Sequence, residues 1–160
     1  MKDTFDIRPL VAGDEIEVSR VIRDTLLISN SNDYSRDYLE EIIKSHSPEW
    51  LTERMSDSHF YVVCTNGKII ACGGITGYWG STTESYLTSI FVLPKYQGMG
   101  IGKRIVKALE NDQYFMRAWR TEISASVTAV DFYRKLGYKF KNGIEKIDEY
   151  GVIKLEKINR

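Results

Sequence analysis

The sequence predicts a mixed α/β domain, one sheet with helices packed on both of its faces. Three observations predict it. The chain has 160 residues, within the roughly 100–200 that a single domain takes, and no Pro-, Gly- or Ser-rich linker divides it, so one domain spans 1–160. The apolar pattern runs at helical spacing through the first third, then changes to β-branched and aromatic runs. A glycine-rich turn joins one such run to an amphipathic segment, after which strand and helix patterns alternate.

The elements follow in order. Phe5 to Arg8 forms a short strand that Pro9 closes. Asp14 offers a carboxylate as N-cap to a helix carrying Ile16, Val18, Val21, Ile22 and Leu26. Ser29 to Asp33 is turn-rich. Ser35 caps a second helix through Leu39, Ile42 and Ile43, and Pro48 opens a short third one with Trp50, Leu51 and Met55. His59 to Thr65 and Lys68 to Thr76 are strands joined by Asn66-Gly67, a two-residue hairpin signal. Glu84 to Leu93 is a further strand, ended by Pro94. A helix from Ile101 to Asp112, a strand from Arg120 to Ala125, and a helix from Thr128 to Leu136 follow. Tyr138 to Phe140 and Gly151 to Leu155 supply the last strands.

Lys plus Arg equals Asp plus Glu at 22 each, so no global basic bias marks a nucleic-acid binder. An anionic ligand would have to be small and locally bound. No apolar run approaches the ~18 residues of a membrane span, and MKDTFDIRPL has no apolar leader core. Cys64 and Cys72 fit neither a redox pair nor zinc-ligand spacing and read as two buried, reduced thiols of a cytoplasmic protein. His46 and His59 read as surface or packing residues, and no metal site is expected.

The stretch Gln97-Gly98-Met99-Gly100-Ile101-Gly102-Lys103 carries the most chemistry. Three glycines at alternate positions remove the Cβ atoms that would keep a ligand off the backbone. The helix that follows begins with unpaired N–H groups and a partial positive charge, to which Lys103 and Arg104 add. Together these features make a phosphate cradle. The spacing fits neither a P-loop, which needs four residues between its Gly and Gly-Lys with a hydroxyl after the Lys, nor the dinucleotide fingerprint G-x-G-x-x-G.

At these residues the chain resembles the GNAT superfamily of acyl-CoA-dependent N-acyltransferases. Their pyrophosphate signature, Gln/Arg-x-x-Gly-x-Gly/Ala, is matched by Gln97, Gly100 and Gly102 within IFVLPKYQGMGIGKRIVKALE. A second block, ISASVTAVDFYRKLGYKF, is similar to the family's C-terminal stretch, and IRPLVAGDEIEVSRVI to its first strand and helix. The resemblance implies a mostly antiparallel central sheet with a splayed parallel strand pair in its middle, and direct transfer of an acetyl group from acetyl-CoA to an amine through a tetrahedral intermediate.

It also implies roles. The backbone of Gly98, Met99, Gly100, Ile101, Gly102 and Lys103 would hold the CoA pyrophosphate. Phe91, Val92 and Leu93 would pair with the pantetheine arm, with an orphan N–H of Phe91 or Val92 polarising the thioester carbonyl. Ser126 takes the place of a cofactor-contacting Asn, and Tyr133 that of the acid for the departing thiolate. The competing reading of Tyr133, as one of two aromatics filling core beneath the helix, suits Phe132 better. Where some members carry a basic Glu this chain has Tyr86. Glu84, on the same strand face, could serve through water, draw in a cationic amine, or stand as a solvated strand-entry charge. Asn30, Asn32, Tyr34, Tyr78, Trp79 and Tyr86 are the candidate acceptor lining, whose aromatics either receive an amine by cation–π contact or simply pack. The alternative is a CoA-binding sensor without catalysis. Neither nucleic acid nor membrane is an expected partner, and pairing of two copies through edge strands is compatible with the sequence.

Overall fold

In the computed structural model, which describes residues 4–159, a seven-stranded sheet carries helices on both faces. The elements are β1 (Asp6–Pro9), α1 (Glu15–Ser29), α2 (Arg36–Ser45), α3 (Pro48–Arg54), β2 (Ser58–Thr65), β3 (Lys68–Gly77), β4 (Glu84–Val92), α4 (Ile101–Glu110), α5 (Gln113–Met116), β5 (Arg120–Ser126), α6 (Val130–Lys135), β6 (Lys139–Phe140) and β7 (Val152–Ile158). The strand order is β1-β2-β3-β4-β5-β7-β6, antiparallel throughout except for the central pair β4–β5. Among the described residues no helix is long and apolar enough to cross a membrane.

Alternation along the strands feeds two cores. On one face Val18, Ile22 and Leu26 of α1, Leu39 of α2 and Leu51 of α3 pack on Phe60, Val62 and Cys72. On the other, Ile101, Ile105, Val106 and Leu109 of α4 and Val130 and Tyr133 of α6 meet Val63, Ala71, Ile75, Leu87, Ile123 and Leu155. The Asn66-Gly67 turn joins β2 to β3 with both residues at positive φ, the geometry that suits the right-handed twist of the flanking strands.

Several boundaries differ from expectation for local reasons. Pro9 is the last residue of β1, tolerated because that strand lies at the sheet edge. The Asp14 side chain does not cap α1; its oxygens instead take Arg8 Nη1 at 2.7 Å and the Val11 N–H at 2.9 Å. The helix ending at Asp112 stops two residues early, because Asp112 turns its carboxylate to the Tyr114 N–H and opens α5. The expected helix over 128–136 shortens to α6, preceded by a 3₁₀ turn at Val127–Ala129.

Asp112 also ties α5 to β2, accepting from the Tyr61 hydroxyl at 2.5 Å and contacting His59 Nδ1 at 2.9 Å. Burial pushes its pKa up, but the bonds from Tyr61, His59 and the Tyr114 N–H outweigh that and hold it below the ordinary value. Replacing Asp112 with Ala is expected to cost about 2 kcal/mol, through loss of bonds to a charged acceptor. A depressed carboxylate stabilises fully above its unfolded pKa near 4 and loses that contribution as pH falls through its folded value. Thermal melts of wild type and variant should therefore converge in acid; a constant gap down to pH 3 would contradict the assignment.

Two irregularities in β4 shape everything that follows. The pairs Gly74↔Thr88 and Cys72↔Phe91 leave one extra residue on β4, a bulge in which Ser89 sits at φ +56°. The parallel pairing with β5 runs only from Glu84↔Arg120 to Leu87↔Ile123, although both strands continue beyond it. The centre of the sheet thus opens just before the bulge.

Candidate active site

The opening between β4 and β5 is the mouth of a cleft of about 780 Å³. Its walls are the second half of β4, the glycine turn, the end of β5, α6 and the α1–α2 side of the molecule. The Leu93 N–H donates to the Ile70 carbonyl at 2.9 Å, so Val92, next along the strand, turns its N–H and C=O away from β3 and into the opening. Phe91 is on the opposite phase of that alternation, which leaves Val92 as the residue whose amide faces the gap.

At one end of the cleft the turn enters α4 through Gly98 and Gly100, at φ +81° and +79°. Side-chain-bearing residues are strained there. Gly102 is different: a Cβ on it would lie 3.1 Å from Phe132 Cζ, so its bareness lets the Phe132 ring seat against the helix start. The first turn of α4 has neither a side-chain cap nor an acidic residue, so its N–H groups and the helix dipole stand open to an anion. Lys103 lines the cleft there, whereas Arg104 is engaged with the Phe5 carbonyl at 3.0 Å. The Gln97 amide points back into the protein, donating to the Val92 carbonyl and to Ser29 Oγ, both at 2.9 Å. It braces the turn against β4 and α1.

Tyr133 lies at the middle of the cleft, 5% exposed, and its hydroxyl has no hydrogen-bond partner among the described residues. Burial, with Tyr34 and Tyr86 nearby, pushes its pKa well above that of a free phenol, so it is protonated throughout the physiological range. Tyr34, raised to about 12 chiefly by burial, and Tyr86, whose hydroxyl donates to Ser124 at 2.6 Å, line the same space.

The cleft gathers Asn30, Tyr34, Tyr86, Phe91, Val92, Gln97, Gly98, Gly100, Ile101, Gly102, Lys103, Ser126 and Tyr133. It does not gather Glu84, Asn32, Tyr78, Trp79, Leu93 or Met99. Glu84 sits where β4 begins, on the paired side of the opening, and Arg120 binds it at 2.9 Å while also holding Glu122 and, at 2.7 Å, Glu156. A carboxylate committed to that network is not a base for the cleft. Tyr78 packs beside Arg120, and Trp79 is 73% exposed on the β3–β4 loop. Met99 is turned outward, 57% exposed.

Among the lining residues that escaped the sequence reading, the polar Tyr38, His46 and Ser89 bear on the chemistry. A signal existed for the first two. Tyr38, Ile42 and His46 recur every fourth residue and so share one helix face. Nothing in the sequence marked Ser89, whose position depends on the bulge.

A profile of the domain described as Acetyltransferase (GNAT) matches residues 30–152. The chain belongs to the GNAT acetyltransferase family. It is therefore an acyl-CoA-dependent N-acetyltransferase, with acetyl-CoA as the family's co-substrate. Solved GNAT folds superpose over nearly the whole chain. The PaiA N-acetyltransferase of Thermoplasma acidophilum, crystallised with coenzyme A, has a TM-score of 0.81 at 19% identity, covering 98% of this chain and 99% of that one. The GCN5-related N-acetyltransferase of Rhodopseudomonas palustris gives 0.78 at 18% identity, with 99% of each chain covered. The N-acetylglutamate synthase of Neisseria gonorrhoeae, complexed with coenzyme A and N-acetyl-glutamate, matches the whole of this chain over 36% of its own length, with a TM-score of 0.67 at 14% identity. No characterised protein matches significantly by sequence.

Proposed function

We infer that this GNAT acetyltransferase passes the acetyl group directly to an amine held in the cleft, with Tyr133 as the acid. The observation that carries the reading is the conjunction in one cleft of a Val92 N–H turned into the opening, an uncapped glycine-turn helix and a phenol whose hydroxyl has no partner among the described residues. The fit to acetyl-CoA is chemical. A diphosphate suits the open N–H groups of Gly98 to Lys103, and an amide-bearing arm suits the free edge of β4 beside Ser126.

Bound there, acetyl-CoA supplies an activated acetyl thioester. The chain's own groups do the rest. The Val92 N–H donates toward the oxygen on which negative charge builds. Tyr133 hands its proton to the departing sulfur. Burial that raises the phenol also disfavours a bare thiolate beside it, so the transfer is not opposed by the site. Direct transfer is supported by the cysteines: Cys72 is sealed in the core, its thiol pushed up to about 12 by burial, and Cys64 does not line the cleft. The acceptor end is walled by Asn30, Tyr34, Tyr38 and Tyr86, hydroxyl-rich and aromatic, which suits an amine on an apolar or aromatic body.

Thermal melts with acetyl-CoA, CoA, NAD and ATP at matched concentration test the co-substrate fit. A ligand at 100 times its Kd stabilises by about 2.7 kcal/mol, worth roughly 5–10 °C in a domain of this size. The expected result is a shift with the two CoA species alone. A larger shift with NAD or ATP would overturn the assignment of the glycine turn.

A further inference from the structure

Direct transfer needs a neutral amine, and no Asp or Glu among the described residues lines the cleft. We propose that Ser89 and His46 form a proton relay: Ser89 Oγ meets the acceptor nitrogen and His46 Nε2 receives the proton. This rests on the amine-transfer reading above and adds to it the base that Glu84 does not supply.

The geometry fixes direction as well as contact. His46 follows the last turn of α2, and its Nδ1 lies 2.8 Å from the Ile42 carbonyl, which can only accept. Nδ1 therefore carries the hydrogen and Nε2 presents a lone pair. Ser89 Oγ is 3.1 Å from that Nε2 and donates to it. Thr88 Oγ1 stands 3.1 Å from Ser89 Oγ on the other side. The unusual backbone of Ser89, at φ +56°, belongs to the bulge that brings its side chain to the imidazole, and strain at such a position needs a compensating role. Trp50 at 4.5 Å and Phe91 at 6.1 Å, centroid to centroid, flank the ring.

The groups facing His46 are Trp50 of α3, Phe91 and Ser89 of β4, Ser19 of α1, which donates to its carbonyl, and Ile42 and Ser45 of its own helix. None is charged. Burial accordingly lowers the ring's pKa and the Ile42 bond only partly restores it, leaving the imidazole neutral at pH 7 and able to accept. Among the described side chains lining the cleft it is the one with a basic ring nitrogen to take up a proton at that pH.

The balance is simple. An alkylammonium gives one proton to Ser89 Oγ as the Ser89 hydroxyl proton moves to Nε2, so serine ends neutral, histidine cationic and the amine neutral. The amine forms the C–N bond as the C–S bond breaks. The sulfur takes the Tyr133 proton, the tyrosinate takes the second proton from nitrogen, and His46 returns its proton to solvent on product release.

The test has a structural and a kinetic arm, both on the full chain. The protein has two histidines, so ring-proton NMR resolves them, His46→Gln identifying its own signal. The expected titration lies below the ordinary imidazole value near 6.5 and moves in Ser89→Gly, a substitution that suits positive φ and should fold. An ordinary midpoint indifferent to Ser89→Gly overturns the relay.

In the kinetic arm the probe acceptors are 2-phenylethylamine, protonated at pH 7, and 4-methoxyaniline, neutral there. Both variants should lower kcat/KM for the alkylamine by roughly 100-fold, lose at least tenfold less on the arylamine, and replace the acid limb set by His46 with one that follows the alkylamine's own ionisation. Equal losses on both amines would make His46 a structural residue and overturn the relay. If CoA binds but wild type acetylates neither amine, the amine-transfer reading falls and the catalytic role of the relay falls with it.

Discussion

Tyr133→Phe is expected to lower kcat by about 10²–10⁴-fold, the range that one positioned proton donor contributes, while CoA affinity is retained. The phenol ring is buried, but its hydroxyl opens to the cleft and makes no hydrogen bond to the protein, so the substitution breaks no protein contact. Stability should stay level, since no protein hydrogen bond is lost. That separates catalysis from folding with unusual cleanness: a lost rate at an unchanged melting temperature and unchanged CoA binding. The reading fails if Tyr133→Phe turns over at the wild-type rate with the same pH profile. It also fails if rate and CoA affinity fall together, since Tyr133 would then be a packing residue for the pantetheine wall.

Gly100→Val is expected to weaken CoA binding by about 10- to 100-fold. Part of this is conformational: a side chain in the left-handed region costs about 1–2 kcal/mol, which draws the free turn away from the geometry that receives the diphosphate, and about 1.4 kcal/mol is tenfold in affinity. The rest is steric, since the new side chain would project from the N-cap of α4, where a diphosphate must approach the N–H groups. No protein atom lies within 4 Å of a Cβ placed on Gly100, so the fold has room for it and the loss should appear in binding. Calorimetric titration with CoA reads it directly; wild-type affinity would remove the glycine turn from the site. Gly102→Ala is a different experiment, because its methyl meets the Phe132 ring and α6 must give way before any ligand is involved.

The parts of this molecule that were legible in the sequence are those governed by local rules. Alternation, helical spacing and turn chemistry place every long element, and the glycine turn between β4 and α4 follows from residues adjacent in the chain. Glu84 shows where local rules stop. Strand alternation correctly puts it on the face of Tyr86, but the distance along β4 to the point where β5 departs is set by the whole sheet. So is the arrival of Arg120 and Glu156 from neighbouring strands to claim it. Tyr78 and Trp79 were assigned to the cleft for being aromatic near Tyr86, yet the β3–β4 loop carries them outside it. His46 shows the converse: its spacing from Tyr38 and Ile42 marks a shared helix face, but its partner is set by a bulge forty-three positions away that brings Ser89 to its ring.

The early end of the β4–β5 pairing has a consequence for how this protein coexists with others. Exposed strand edges invite any passing chain to add itself, and a sheet meant to receive an amide-bearing ligand must keep an edge available. Here the available edge is internal. The outer margins are short, β1 with four residues ending in Pro9 and β6 with two. The free stretch beyond Leu87 faces a gap walled by α6 and the α1–α2 turn, with Asp33 reaching across to Thr128 at 2.9 Å. A slot of that kind suits one slender extended molecule laid along β4 and leaves little room for a further strand of the sheet. The same backbone groups that would make a sticky protein at the rim make a selective receptor at the centre.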